Sequence, residues 1–288
     1  MIISTKVKIR GAGVLAAIVN LSRRLVGLQH QAEFVRRGLN WSLDLGEGID
    51  FSIYLLGAFE PKTIAAYRRI LKPGDIAIDV GANIGAHTLP LAEAVGITGQ
   101  VLAAEPTSEI YLKLKENLRL NPRLEDRVQA FQVMLMASDD VELPNEIYAR
   151  WPLKESTGAH PLHLGVAVST EGATILSLDS LVTRNNIKRV DLIKLDVDGY
   201  ESDVLLGATN TIRKDKPVII FEYSPYTSKE RNIDPNIMID FFNSMNYAFF
   251  DLSGRPFQGS EGNLPTIKPG AGINILAQSR APRPATNR

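Results

Sequence analysis

Five carboxylates and two glycines in this chain have the types and spacing that chemistry uses. Asp79, Glu105, Asp196 and Glu222 each close or nearly close a short apolar run, and Asp198 follows two positions after Asp196. A carboxylate at the end of an apolar strand is costly unless it finds a partner, so these residues are candidates for ligand contact or proton transfer. Gly81 and Gly85 bracket the turn Asp79-Val80-Gly81-Ala82-Asn83-Ile84-Gly85, with G-x-x-x-G spacing. Gly81 permits a sharp turn and Gly85 a close approach. A helix starting here would aim free N–H groups and a positive dipole end at a ligand. Alone, such a turn suits a dinucleotide-binding oxidoreductase almost as well as another nucleoside binder.

Glu105, followed by Pro106, lies about twenty residues beyond the glycines, where a carboxylate can accept hydrogen bonds from ribose hydroxyls. The turn lacks the second glycine of G-x-G-x-x-G, which makes room for a pyrophosphate. Asn83 stands close to where that room is wanted, so a ligand without phosphates fits better. Two rivals stay open: an NAD-dependent oxidoreductase, and a non-catalytic protein that binds the nucleoside. The plain alternative for Asp79 and Glu105 is a pair of ordinary strand-end carboxylates.

The elements that must position these residues follow from periodicity. Strands are predicted at Asp75–Val80, Gln100–Glu105, Arg127–Met136, Val190–Asp196, Pro217–Tyr223, Tyr247–Leu252 and Gly272–Gln278. Runs such as Val218-Ile219-Ile220-Phe221 are apolar on both faces, as strands covered on both sides must be. Helices are predicted between them at Ile84–Val95, Thr107–Leu120, Tyr200–Arg213 and Pro235–Asn246. Alternating strands and helices imply a mostly parallel α/β sheet. Residues 1–70 read as a helical and hairpin cover, with a basic helix over about 13–37 and a small hairpin within 41–59. Residues 71–279 read as the nucleoside-binding domain, with 139–174 a loop-rich insertion or lid. Residues 280–288 read as a disordered tail.

Composition narrows the classes. Lys+Arg and Asp+Glu both count 32 over 288 residues, so no global field recruits nucleic acid. There is no cysteine, which excludes disulfides, thiolate metal sites and a cysteine nucleophile. No apolar run reaches the ~18 residues of a membrane span and the N-terminus has no signal-peptide pattern, so the expectation is a cytoplasmic protein.

The blocks Ile78–Gly85 and Ala104-Glu105-Pro106 resemble class I S-adenosylmethionine-dependent methyltransferases. Within these, Ser177-Leu178-Asp179-Ser180-Leu181, then Val190–Glu201, Leu205–Ala208 and Pro217–Glu222, are similar in order and type to the FkbM family. One departure is Asp198, where that family usually has glutamate. The resemblance implies a Rossmann-like fold with a seven-stranded sheet of order 3-2-1-4-5-7-6 and helices on both faces. It implies methyl transfer from S-adenosylmethionine, usually to a hydroxyl of a sugar or polyketide-type metabolite. Gly81, Ala82, Asn83 and Gly85, following Asp79, would wrap the methionine part and Glu105, with Pro106, would hold the ribose. Ser138 and Asp139 fall where adenine is contacted. His87 and Thr88 would lie beneath the cofactor, and Glu60 would reach it from the cover.

Methyl transfer to an alcohol needs the oxygen held on the methyl axis and a base or metal for its proton. Asp196 is the expected base, assisted by Asp198 or Glu222; Asp198 as a helix cap, with Glu201 in the first turn, is the structural alternative. A divalent cation on the three carboxylates is the less favoured route. His160 and His163 could supply a base from the insertion, against ordinary solvent-exposed histidines. Trp151, Tyr148 and Phe131 could wall the acceptor, against simple packing. The basic, apolar N-terminal helix could lie on anionic lipid, with a homodimer contact or packing on the core favoured instead.

Overall fold

The computed structural model describes residues 4–257 and 264–282. Helix α1 (Thr5–Leu25) is followed by Gly27, whose φ of 76° favours glycine. The chain then enters a hairpin of β1 (Gln31–Arg36) and β2 (Leu39–Asp44). Its two-residue connection, Arg37-Gly38, has φ of 50° and 77°, a turn whose twist matches that of paired strands. The predicted helix over 13–37 is therefore corrected at both ends. It begins earlier, and 31–36 alternate between exposed and half-buried as a strand must. Helices α2 (Gly48–Leu56) and α3 (Pro61–Ile70) complete this segment.

The main sheet starts with β3 (Ile76–Val80), α4 (Thr88–Ala94), β4 (Gln100–Ala104), α5 (Ser108–Arg119), α6 (Pro122–Glu125) and β5 (Val128–Phe131). The strand predicted over 127–136 breaks at Gln132, and β6 (Val133–Leu135) leaves the main sheet. The insertion holds the antiparallel pair β7 (Glu146–Arg150) and β8 (Val166–Ser169). Strand β9 (Thr174–Leu176) then pairs with β6 in parallel. The sheet resumes through α7 (Leu178–Arg184), β10 (Leu192–Leu195), α8 (Glu201–Leu206), α9 (Thr209–Asp215) and β11 (Val218–Tyr223). One helix predicted over 200–213 is two, because the chain turns at Gly207, against the Met136 carbonyl. Helices α10 (Pro225–Glu230) and α11 (Asn236–Ser244) precede β12 (Tyr247–Phe250) and β13 (Ile273–Ser279).

The seven strands run in the order β12-β13-β11-β10-β3-β4-β5, with β13 antiparallel to both neighbours and the other pairs parallel. Alternate residues of each strand feed two apolar layers. One joins Ala77, Leu192 and Ile220 to α3, α4, α5 and the β2–α2 segment; the other joins Ile78, Ile193 and Phe221 to α7, α8, α9 and α11. The first layer includes Trp41, Leu43, Phe51 and Ile53, so the N-terminal segment shares the sheet's core. Arg280 is tied to Asn246 through its N–H; positions 283–288 of the predicted tail lie outside the described residues.

Candidate active site

Register places the carboxylates together. Val80 pairs with Ala104 and Leu195, and Leu195 with Phe221, so Gly81, Glu105, Asp196 and Glu222 stand one step beyond a single row of the sheet. This carboxyl-terminal edge of parallel strands is where open α/β sheets bind ligands. Above it lies a cavity of about 490 Å³.

The β3–β4 side of that cavity is held by its own hydrogen bonds. Gly81 (φ 77°) and Ala82 donate their N–H groups to the Ala104 carbonyl at 3.1 and 3.0 Å. A Cβ at Gly81 would collide with the Asp196 carbonyl oxygen. Asn83, left-handed at φ 48°, donates its N–H to Glu105 Oε2 (3.0 Å) and its amide to the Ala149 carbonyl (3.0 Å). Glu105 Oε1 accepts the Thr107 N–H (2.9 Å) and hydroxyl (2.6 Å), and burial pushes this carboxyl up. Thr107 thus serves Glu105 instead of capping α5.

Several predicted contacts fall elsewhere. The helix expected from Ile84 begins only at Thr88, because Asn83 and Gly85 (φ 91°) both take left-handed backbone. Gly85 packs against Leu114 of α5 and does not line the cavity. Thr88 donates to Asp79 Oδ2 at 2.7 Å; both are fully buried beneath the site and neither reaches it. Ser138 is exposed, and Asp139 accepts the Ser177 N–H and pairs with Arg184 at 2.8 Å. The break at Gln132 puts Val133, Met134 and Leu135 on the cavity wall in their place. Gly81, Ala82, Asn83, Glu105, Pro106, His87 and Glu60 do line it.

The β10–β11 side carries charge. Lys194, only 2% exposed, sits in an otherwise apolar strand and donates to Asp196 Oδ2 at 3.0 Å. Burial works against its charge, but Asp196, Asp79 and Glu60 outweigh burial and raise its proton affinity. Beyond Asp196 the backbone turns through Asp198 (φ 47°) and Gly199 (φ 102°). Glu201 locks that turn by accepting the Val197 and Gly199 N–H groups at 3.1 and 3.0 Å. Glu201 therefore does the work that the helix-cap alternative gave to Asp198. Neither Asp198 nor Glu222 accepts a hydrogen bond from the described residues, and both face the cavity. Burial, then the charge of Asp196, pushes both carboxyls well above their ordinary range.

The Methyltransferase FkbM domain matches residues 79–249, more than half of the chain. The chain belongs to the FkbM methyltransferase family. Over 151 residues it is 31% identical to the hexuronic acid methyltransferase AglP of Haloferax volcanii, covering 51% of this chain and 55% of that protein. The chain thus spans about half the length of that relative. Among solved structures, it is similar to methyltransferase FkbM from Methylobacillus flagellatus KT, with a TM-score of 0.44, 16% identity, and coverage of 78% and 49% of the two chains. It is also similar to M. jannaschii TYW2, with a TM-score of 0.42, 16% identity and coverage of 88% and 86%.

In this FkbM-family chain the cover reaches the site through Glu60 (φ 46°), whose Oε2 lies 3.4 Å from His87 Nε2 and accepts the Thr63 hydroxyl at 3.2 Å. Burial opposes ionisation of Glu60, but the His87 ring and the Lys194 charge more than offset it and hold its carboxyl at about 2. The insertion contributes Tyr148, Trp151 and His163 to the cavity; Phe131 packs into the second apolar layer instead. The His160 and His163 rings stack at 3.9 Å, with Tyr148 edge-on to both. His163 Nδ1 accepts the Gly165 N–H at 3.0 Å, and burial, with His160, lowers its pKa to about 4. A neutral ring accepting at Nδ1 carries its proton on Nε2. His160 Nδ1 accepts the Leu162 N–H in the same way, and its Nε2 lies 3.3 Å from Glu230. His160, His163 and Glu230 converge closely enough for a cation. A metal on either Nε2 would require a proton on Nδ1, where a backbone N–H already points, so this group is a hydrogen-bonded one.

Sequence reasoning assigned no role to Lys194, Tyr226 or Val133–Leu135. Lys194 had a signal: one lysine inside Leu192-Ile193-Lys194-Leu195 must be paired. The wall at 133–135 had none, because it depends on the break at Gln132.

Proposed function

We propose that this chain transfers a methyl group from S-adenosylmethionine to a hydroxyl of a sugar or sugar-containing acceptor. The observation that carries this reading is the pair Asp198 and Glu222, two cavity carboxyls that accept nothing from the described protein residues. Sugar hydroxyls are the donors such acceptors need, and Tyr148, Trp151, Tyr200 and Tyr226 in the same cavity give the aromatic surface a sugar ring packs on. The sugar acceptor of AglP, named for hexuronic acid, supports the same class.

The residues present fit S-adenosylmethionine. Glu105 keeps lone pairs for ribose hydroxyls beyond its three internal donors. Val133, Met134 and Leu135 offer an apolar slot for adenine, and ionised Glu60 offers a partner for the methionine ammonium. Bound there, the cofactor supplies a methyl group on a sulfonium. The chain's own part is to hold the acceptor hydroxyl in line and take its proton. Asp196 has one oxygen engaged by Lys194, so the proton goes to the Asp198–Glu222 pair, whose proton affinity burial and the charge of Asp196 have raised. Asp196 with Lys194 positions that pair.

The test is transfer of labelled methyl from S-adenosylmethionine to a panel of sugars, uronic acids and nucleotide sugars. Asp198→Asn should lower kcat by about a hundredfold or more while leaving cofactor affinity within a few fold. Calorimetry showing NAD bound, and neither S-adenosylmethionine nor S-adenosylhomocysteine, would overturn the reading.

A further inference from the structure

Helix α1 has two working sides. Ile9, Ala12, Ala16 and Val19 pack on the body, and Thr5, Lys8, Ile9 and Ala12 form part of the cavity roof. On the opposite side Val7, Val14, Ile18, Leu21 and Leu25 are 59–80% exposed, Leu25 most of all. At about 100° per residue these five fall within roughly 60° of one another, a continuous apolar stripe that no described residue covers. The stripe continues past the helix through exposed Val26 and Leu28.

Charge decides what covers it. Residues 1–32 contain Lys6, Lys8, Arg10, Arg23 and Arg24 and no acidic residue; the first carboxylate of the chain is Glu33. A second copy packed along the stripe would lay Arg10 and Arg24, which flank it, against their own kind, and no carboxylate on either helix would relieve the repulsion. An apolar stripe flanked only by cations matches a layer with anionic headgroups over hydrocarbon. No helix among the described residues is long and apolar enough to cross a membrane, so the contact is interfacial.

We propose that α1 seats the protein on an anionic phospholipid surface, with the roof of the cavity beside that surface. Resting on the sugar reading above, the acceptor is then a glycan carried by a lipid and presented at the membrane.

The experiment is co-sedimentation of the full chain with phosphatidylcholine vesicles, with and without phosphatidylglycerol. Binding is expected only with phosphatidylglycerol and should weaken as salt is raised. Ile18→Ser/Leu21→Ser/Leu25→Ser and, separately, Arg10→Glu/Arg24→Glu should each reduce the bound fraction on the order of tenfold. None of these side chains lines the cavity, so turnover of a water-soluble sugar acceptor should be unchanged in both variants. Absence of binding to anionic vesicles overturns the proposal, as does a solution dimer that the triple serine variant dissociates. Neither result touches methyl transfer, which is read separately from the soluble acceptor.

Discussion

The two sides of the cavity are built in opposite ways. On the β3–β4 side the turn is answered from within: Gly81 and Ala82 bind the Ala104 carbonyl, Asn83 is held at both ends, and Glu105 takes three donors. On the β10–β11 side Asp198 and Glu222 take none from the described residues. A turn held by its own hydrogen bonds is already shaped before its ligand arrives. A side whose half-buried, cavity-facing acceptors meet no protein donor leaves them for a ligand's donors. The first arrangement suits a constant cofactor; the second suits the molecule on which selectivity acts.

The hardest test of the preformed side is Gly81→Ala. The new methyl group meets the Asp196 carbonyl oxygen on a backbone held at φ 77°. Expected is a loss of about 3 kcal/mol or more in thermal unfolding and no measurable cofactor binding by calorimetry. Normal binding would show that the turn is not a fixed cradle. Next in size is a contrast between two glutamates. Glu105→Gln disturbs three internal donors, so cofactor affinity should fall by about a hundredfold and stability should fall as well. Glu222→Gln removes a carboxyl that accepts no hydrogen bond from the described residues. Cofactor affinity should hold, and stability near pH 8 should stay level or rise, because the ionised form is the strained one. Equal loss of cofactor affinity in both variants would erase the distinction between the sides.

What could be read from the sequence follows the same division. The sheet was legible because its strands are apolar on both faces and its carboxylates fall at strand ends, and Gly81, Glu105, Asp196 and Glu222 do share one edge. The start of the helix after β3 was misread because periodicity extends it back to Ile84, whereas Asn83 and Gly85 adopt left-handed backbone that delays it to Thr88. Ser138 and Asp139 were misplaced because a one-residue break at Gln132 shifts which segment meets the cavity. His163 depends on tertiary folding of the insertion, which no local spacing encodes.

Glu201 makes the turn of the β10–β11 side depend on pH. It is 4% exposed and accepts the Val197 and Gly199 N–H groups that shape the Asp198 turn. Burial raises its carboxyl from 4.5 to about 7, against the opposing pull of those N–H groups. Between these values the folded chain binds more protons than the unfolded chain, so stability falls as pH rises. The contribution is fully present below about pH 4.5 and is lost as pH passes through about 7. From about pH 5 to pH 7 it amounts to about 2 kcal/mol. Glu201→Gln keeps one acceptor for the turn and cannot titrate, so its unfolding free energy should decline by about that much less over the same span. Asp198 and Glu222, raised in the same direction, keep a residual slope in the variant. Superimposable pH profiles from chemical denaturation would mean that Glu201 is ionised throughout, and that its two N–H donors outweigh its burial.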